Sequence, residues 1–293
     1  MTVEVTPLDA TLGAELSNVR LSELNDESWK EVEDAFNTYG VLVVHDQYLA
    51  LDEELAFGAR FGELFCNDGS GFPGIPGSGT SNGSPFAPLV GNVDKDGKHH
   101  SDATDPYVRR GIGNDEWHSD SSYQQPGAIA SILAGIEVPT QGGGQTEFAD
   151  MRAAYDALPA ETTERLAGLR AWHSLTYSRV ALGAMDLDLP EDLTTLPGAE
   201  HSMVRVHPVT GRPSLVIGSH LAHIYGMDDE EGHRLAQELV DEACQPPRVY
   251  SHNWRVGDVI MWDNRSVLHR GRPYDYSERR QLQHVRVVGD VEF

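Results

Sequence analysis

Three metal-binding side chains stand at a spacing that suits one metal ion. His118-Ser119-Asp120 places an imidazole and a carboxylate two residues apart, so on an extended segment both leave the same side and can bind one metal. His269, far along the chain, would complete a three-ligand face. Two imidazoles and one carboxylate suit a divalent iron that keeps positions open for a cosubstrate and oxygen. A chain with 13 histidines also contains such a triplet by chance, and a buried His–Asp hydrogen bond in a β core is the competing interpretation.

The segments that must position these residues are predicted to be mostly short strands. Apolar patterns predict strands at 2–6, 41–44, 89–93, 128–138, 203–208, 214–218, 248–254, 258–263 and 280–288. Capping residues and helical periodicity predict helices at 25–38, 51–61, 148–158, 159–169 and 228–243. The first helix shows the clearest signals, because Asn25 can cap its start and Gly40 ends it.

This element order predicts a mainly β fold with flanking helices, built on a double-stranded β-helix (jelly-roll) core. No internal repeat and no second composition regime is present, so residues 1–293 are predicted to form one domain. Residues 67–88 are crowded with Gly, Pro, Ser and Asn and lead toward the metal motif, which predicts an active-site loop at 67–114. Residues 182–200 are predicted to be a surface insertion.

The composition excludes several classes of partner. The net charge of −24, from 46 acidic and 22 basic residues, repels phosphate backbones and anionic membranes, so neither nucleic acid nor a membrane is expected as the main partner. A saline habitat could also account for the acidity. Two cysteines without CxxC spacing, and no apolar segment of membrane-spanning length or secretory signal, predict a cytoplasmic protein in a reducing compartment.

Five segments, taken in order, resemble the iron(II)/2-oxoglutarate-dependent dioxygenases related to taurine dioxygenase and 2,4-dichlorophenoxyacetate dioxygenase. The segments are 114–120, 143–146, 206–212, 257–265 with His269, and Arg280. Three further segments, 148–158, 172–178 and 243–249, look closest to the subgroup that cleaves phenoxypropionate and phenoxyacetate herbicides. Similarity within scaffold elements reports ancestry better than substrate.

The resemblance implies a role for each matched residue. His118, Asp120 and His269 match the family's iron ligands. Thr146 and Arg280 match the hydroxyl and guanidinium groups that bind the distal carboxylate of the cosubstrate 2-oxoglutarate. With O2, such a centre hydroxylates a substrate C–H bond while 2-oxoglutarate becomes succinate, and no catalytic side chain beyond the iron centre is implied.

The residues that would contact the substrate are less defined. Asn114 matches a substrate-contacting asparagine, and Tyr123 stands where an aromatic residue lines the family's pocket. His284 takes the place of the arginine that binds the sulfonate in taurine dioxygenase, and Arg286 follows two residues later. Residues 280, 284 and 286 project to the same side of a strand. Either His284 or Arg286 could therefore contact a substrate anion, although Arg286 could equally pair with an acidic side chain.

The predicted function is hydroxylation of a small organic acid, for example an aryloxyalkanoate, in which hydroxylation beside the ether oxygen leads to ether cleavage. Alternatives are the same chemistry on an amino acid, a natural-product intermediate or a sulfonate, and, outside enzymes, a metal-binding jelly-roll protein without turnover. The presence of Asp120 disfavours a halogenase, because it leaves no vacancy for chloride. The resemblance also suggests a homo-oligomer.

Overall fold

The computed structural model describes residues 2–67, 83–109 and 111–289. The strands are β1 (Glu4–Pro7), β2 (Ala14–Ser17), β3 (Val41–Val44), β4 (Gly83–Ser84), β5 (Ala87–Gly91), β6 (Ala128–Glu137), β7 (Thr146–Asp150), β8 (Arg170–His173), β9 (Ala199–Ser202), β10 (Val204–Val206), β11 (Pro213–Leu215), β12 (Leu221–Ile224), β13 (Val249–His252), β14 (Val259–Asp263), β15 (Val267–Gly271) and β16 (Gln281–Val288). The helices are α1 (Asp26–Tyr39), α2 (Leu51–Gly58), α3 (Pro106–Arg109), α4 (Met151–Asp156), α5 (Ala160–Leu166), α6 (Leu175–Ala181) and α7 (Asp229–Ala243), with 3-10 turns at Leu21–Glu23, Ile112–Asp115 and Leu193–Thr195. The fold is therefore mainly β with a few helices, as predicted.

The largest sheet has eight strands in the order β1-β2-β3-β14-β6-β16-β5-β4. Its neighbouring strands are antiparallel except β2 and β3. A three-stranded antiparallel sheet, in the order β13-β7-β15, packs against this large sheet. Two smaller sheets, β12-β8-β9 and β10-β11, complete the described fold.

The side chains of β3 point alternately to the two faces of the large sheet, and each face packs against a different part of the core. Leu42 and Val44 belong to a buried cluster with apolar residues of α1 and α2. Val41 and Val43 point the other way and pack with Phe148 of β7. Since side chains alternate along a strand, an apolar run such as 41–44 is buried on both faces of the sheet. The large sheet therefore has a helix-covered outer face and an inner face toward β13-β7-β15.

Strand β16 carries polar residues on that inner face. Leu282 packs in the inner cluster, whereas Val285 and Val287 pack in the outer one. By the same alternation His284 and Arg286 lie on the inner side, which is the shared orientation expected for them. The space between the two sheets is thus the place where β16 presents its polar groups.

Helix ends follow the capping signals closely. The Asn25 side chain accepts a hydrogen bond from the Ser28 backbone at the start of α1, and Gly40 ends the helix with φ 74°. The prediction of a helix from Phe148 was wrong at its start. Residues 146–150 form β7, and α4 begins only at Met151, because the Asp150 side chain caps its first backbone N–H groups.

The predicted active-site loop and the predicted surface insertion both contain regular structure, including a strand near the one predicted at 89–93. Within 67–114, residues 68–82 and 110 lie outside the described residues, and the remainder includes β4, β5 and α3. Within 182–200, Leu193 and Leu196 are buried and pack against Ala222 of β12, so the second half of that segment joins the core. No helix among the described residues is long and apolar enough to cross a membrane.

Candidate metal centre

His118, Asp120 and His269 meet at the edge of the inner face. One ligand atom from each of them lies within 4.8 Å of the others. His118 and His269 form an antiparallel backbone bridge, with N–O distances of 3.0 Å and 2.8 Å. Because β15 carries His269 and this bridge fixes the 118–120 segment beside it, residues that are far apart in sequence converge on one point. The predicted three-residue grouping is therefore present in the structure.

Both histidines are held in the form that binds metals. The His118 Nδ1 donates to the Glu116 carbonyl at 2.7 Å, which leaves Nε2 of that ring as the acceptor. Burial lowers the pKa of His118 and brings the pKa of His269 well below its ordinary value. The neutral imidazole is the form that binds a metal, so neither ring has to lose a proton near neutral pH.

A hydrogen-bond network orients the carboxylate of Asp120. Ser131 Oγ donates to Asp120 Oδ2 at 2.7 Å, and Asn264 Nδ2 donates to Ser131 Oγ at 2.8 Å. The Asp120 backbone N–H donates to Asn264 Oδ1 at 3.1 Å. Burial opposes ionisation of Asp120, but His284, whose Nε2 lies 3.2 Å from Asp120 Oδ2, draws the pKa of Asp120 well below the ordinary value. The carboxylate is thus ionised and fixed in direction.

The turn at 263–265 does not contact His269 in the way its position suggested. Because residues 263–265 form a tight turn just before His269, the sequence predicts that they orient this histidine, whereas Asn264 instead orients Asp120. Asp263 is buried and accepts from His207 at 2.7 Å and from Arg265 Nε at 2.8 Å. These bonds make the turn rigid, and that rigidity holds Asn264 in place.

The donor set fits a divalent iron. Two imidazole nitrogens and one carboxylate oxygen on a single face leave the opposite face open, which is the arrangement that non-haem iron oxygenases use. The open face adjoins a cavity of about 140 Å³ whose walls include the three ligand residues.

Arg280 and Thr146, the two residues expected to bind 2-oxoglutarate, also line this cavity. Arg280 Nη2 donates to the Gly144 carbonyl at 3.2 Å, and its buried Nε has no partner among the described residues. Thr146 Oγ1 accepts from Trp254 Nε1 at 3.0 Å, so its hydroxyl proton is free to be donated. A buried guanidinium with an unused donor and a hydroxyl beside it fits a carboxylate ligand.

The four residues expected to contact substrate separate into two pairs. Asn114 and His284 line the cavity, whereas Tyr123 and Arg286 are not among its lining residues. His284 Nε2 lies 3.2 Å from Asp120 Oδ2, and its ring stacks on Trp262. His284 is therefore a neighbour of the metal-binding carboxylate as well as a wall of the cavity.

Arg286 has neutral hydrogen-bond partners. Its Nη1 donates to Ser121 Oγ at 2.8 Å and its Nη2 to Asn67 Oδ1 at 2.6 Å, while its guanidinium lies over the Phe65 ring. It also lies close enough to Tyr123 to influence the pKa of that phenol. The alternative of a structural ion pair is not what the described residues show.

The sequence did not identify three residues of the site, namely Ser131, Tyr274 and Tyr276. Ser131 is fully buried, and its signal was present as the one hydroxyl in the apolar run 128–136. Tyr274 and Tyr276 line the cavity beside Arg280, but tyrosines in a polar loop carry no distinctive pattern. Two buried histidines, His173 and His220, share the hydroxyl of Ser122 at 3.2 Å and 3.1 Å. The His220 ring in turn lies beside His118, with ring centroids 5.6 Å apart.

Comparison with known proteins agrees with this geometry. The family described as taurine catabolism dioxygenase TauD, TfdA family, matches residues 4–288. The chain is 37% identical to a (S)-phenoxypropionate/alpha-ketoglutarate-dioxygenase of Sphingobium herbicidovorans over 98% of this chain and 95% of the relative. It is 41% identical to an alpha-ketoglutarate-dependent 2,4-dichlorophenoxyacetate dioxygenase of Cupriavidus pinatubonensis over 99% of both chains. A crystal structure of AAD-2 in complex with Mn(II) and N-oxalylglycine is similar with a TM-score of 0.90 and 36% identity, covering 100% of this chain and 99% of that one.

Proposed function

The chain belongs to the TauD, TfdA family of dioxygenases, and from this premise we propose that it uses iron(II), 2-oxoglutarate and O2 to hydroxylate a small organic acid. The substrate class that we favour is the aryloxyalkanoates, because two relatives that match nearly the whole chain are named for phenoxypropionate and 2,4-dichlorophenoxyacetate. The observation that carries the proposal is one cavity lined both by the three-ligand metal face and by Arg280, whose Nε has no partner among the residues that the structure describes.

In this proposal His118, Asp120 and His269 hold the iron, and Thr146 and Arg280 bind the distal carboxylate of 2-oxoglutarate. The bound iron and cosubstrate supply the oxidation, in which 2-oxoglutarate and O2 give succinate, carbon dioxide and one oxygen atom for the substrate C–H bond. The remaining tasks belong to the protein, which must bind, orient and exclude water.

The residues around the cavity suit those tasks. The hydroxyl of Thr146 and the fork of Arg280 fix one end of the cosubstrate, so its other end points toward the metal ligands. Leu133 and Trp262 wall the cavity near those ligands and keep water away from them. The network from Asn264 holds Asp120 in one orientation throughout turnover.

For an aryloxyalkanoate, hydroxylation of the carbon beside the ether oxygen produces a hemiacetal. The bond between that carbon and the ether oxygen then breaks, the hydroxyl proton moves to the departing phenol oxygen, and a keto acid remains. This second step needs no side chain as acid or base.

Three broader expectations join this proposal. The packing of β13-β7-β15 against the large sheet supports a double-stranded β-helix core. The scarcity of cysteine supports a reducing cytoplasmic location. The strong negative charge supports a small-molecule partner, with neither nucleic acid nor membrane as the main one, and a homo-oligomer remains an expectation.

Succinate formation tests the proposal. The purified protein, supplied with iron(II), 2-oxoglutarate, O2 and candidate acids, should release succinate faster when an aryloxyalkanoate is present. His118→Ala should lose this activity and should bind iron weakly, since one of three ligands is gone. An iron-loaded wild type without succinate formation would overturn the proposal and favour a metal-binding protein. Stimulation by taurine rather than by phenoxy acids would instead change the substrate class.

A further inference from the structure

A tryptophan outside the cavity holds a hydroxyl group that lines it. Thr146 lines the cavity and is 3% exposed, whereas Trp254 is not among the lining residues. Trp254 Nε1 donates a hydrogen bond to Thr146 Oγ1 at 3.0 Å. Because an indole N–H can only donate, it occupies a lone pair of the hydroxyl oxygen, and the hydroxyl hydrogen must point elsewhere. The direction of the O–H bond of Thr146 is therefore restricted from behind the cavity wall.

The backbone of Thr146 is fixed on both sides, so its side chain is what remains to be positioned. Thr146 begins β7, where it pairs with His252 of β13 on one side and with Gly271 of β15 on the other. Rotation of the side chain and rotation of its O–H bond are not restrained by this pairing. The bond from Trp254 limits both, since moving Oγ1 or turning its lone pair away would break the hydrogen bond.

A buried network holds the turn between β13 and β14 that carries Trp254. Asp258 is 1% exposed and accepts from His45 Nδ1 at 2.6 Å and from His252 Nε2 at 2.9 Å. It also accepts from the Arg255 backbone N–H at 2.9 Å. The His252 ring packs edge-on against the Trp254 ring, with centroids 4.9 Å apart. Because one carboxylate ties β3, β13 and the turn together, the indole is held in place when it donates to Thr146.

We propose that Trp254 is a positioning residue for cosubstrate binding, whose N–H aims the hydroxyl of Thr146 at the distal carboxylate of 2-oxoglutarate. This inference rests on the proposed function, in which Thr146 and Arg280 bind that carboxylate. Two hydrogen bonds then run in series, from the indole to the hydroxyl and from the hydroxyl to the carboxylate, and each polarises the next. Trp254 thus adds to the affinity for 2-oxoglutarate without contacting it.

The test compares two 2-keto acids that differ only at the distal end. In 2-oxopentanoate a methyl group replaces the distal carboxylate of 2-oxoglutarate. Calorimetric titration of the oxygen-free protein, loaded with iron(II), gives the Kd of each acid. Trp254→Phe keeps a ring against His252 and removes the N–H. It should raise the Kd of 2-oxoglutarate roughly three- to tenfold, the worth of about one hydrogen bond. The Kd of 2-oxopentanoate should stay within about twofold of wild type, because this acid offers the hydroxyl no carboxylate.

A double-mutant cycle shows whether Trp254 acts through Thr146. Thr146→Val removes the hydroxyl and should raise the Kd of 2-oxoglutarate roughly tenfold or more. In that background Trp254→Phe should have no further effect on this Kd, because the indole no longer has a hydroxyl to orient. Trp172→Phe is the matched control. Trp172 Nε1 also donates one hydrogen bond, to the Leu196 carbonyl at 3.1 Å, and neither residue lines the cavity, so both Kd values should be unchanged.

The outcomes separate this inference from the proposed function. Thermal unfolding and iron(II) binding, measured in parallel, show that each variant is folded and loaded. An unchanged Kd of 2-oxoglutarate in Trp254→Phe would overturn the role of Trp254, as would an equal rise for both keto acids or a further rise in the Thr146→Val background. Failure of the proposed function would show in wild type instead, as an absence of 2-oxoglutarate binding and of succinate formation. A wild type that forms succinate, beside a Trp254→Phe variant that binds 2-oxoglutarate equally well, would refute this inference alone.

Discussion

Removing the hydroxyl of Ser131 tests whether the network behind Asp120 tunes the metal centre. Ser131 is fully buried, and its Oγ donates to Asp120 Oδ2 at 2.7 Å while accepting from Asn264. Ser131→Ala deletes one hydrogen bond to a charged group, worth about 1.5–3 kcal/mol. Each 1.4 kcal/mol is a factor of ten in an equilibrium constant. We therefore expect iron(II) affinity to fall by roughly 10- to 100-fold, the range typical of groups that orient metal ligands.

The assay is competition for iron(II) against a chelator of known affinity, with thermal unfolding of the metal-free protein measured in parallel. Ser214→Ala is the matched control, because Ser214 is also fully buried but its hydroxyl has no hydrogen-bond partner among the described residues. That variant should bind iron(II) like wild type. If Ser131→Ala bound iron(II) within about twofold of wild type, the orienting role of this network would be refuted.

Two further predictions concern the cosubstrate and the core. Gly144→Ala should raise KM for 2-oxoglutarate about tenfold, because a methyl group there would lie 3.1 Å from Arg280 Nε. Gly142→Ala is the control. Gly142 has a similar positive φ, but a methyl group there would meet no described atom within 4 Å, so this variant should leave KM unchanged. Glu54 is fully buried, both of its oxygens lack a partner within the described part of the chain, and burial raises its pKa well above the ordinary value. The folded state therefore holds a proton that the unfolded chain releases above about pH 4.5, so stability should fall as pH rises, by up to about 1.4 kcal/mol per pH unit. Glu54→Met should flatten that fall in thermal unfolding between pH 5 and pH 8, and an unchanged slope would contradict the assignment.

The fold was predictable where one signal dominated. The run 41–44 is apolar throughout, and a strand that is buried on both faces removes all four of its side chains from water. The capping residue Asn25 and the stop at Gly40 likewise specified α1 almost to the residue. The boundary near Phe148 was missed because its apolar neighbours suit a helix and a strand equally. The deciding residue was Asp150, whose side chain caps α4 and leaves the residues before it in β7.

At the site, the grouping of ligand side chains was predictable but their supports were not. The two-residue spacing of His118 and Asp120 by itself places both side chains on the same side of an extended segment. The resemblance to the dioxygenase family then pointed to His269. The support from Ser131 comes from a strand in the middle of the large sheet, so only tertiary structure brings it to Asp120. For the same reason the role of Asn264 was assigned to the wrong ligand. Sequence proximity pointed to His269, whereas the turn closes toward Asp120.

The position that the resemblance pointed to for binding a substrate anion is poorly suited to that task. The position that matches the sulfonate-binding arginine of taurine dioxygenase is His284, whose Nε2 lies 3.2 Å from Asp120 Oδ2. An imidazole engaged there cannot also grip a second carboxylate with two parallel bonds, and an anion placed beside Asp120 would be repelled. Arg286, next on the same face, is occupied by Ser121 and Asn67. We therefore expect His284 to form part of the cavity wall beside Asp120 rather than to bind a substrate anion through two parallel hydrogen bonds.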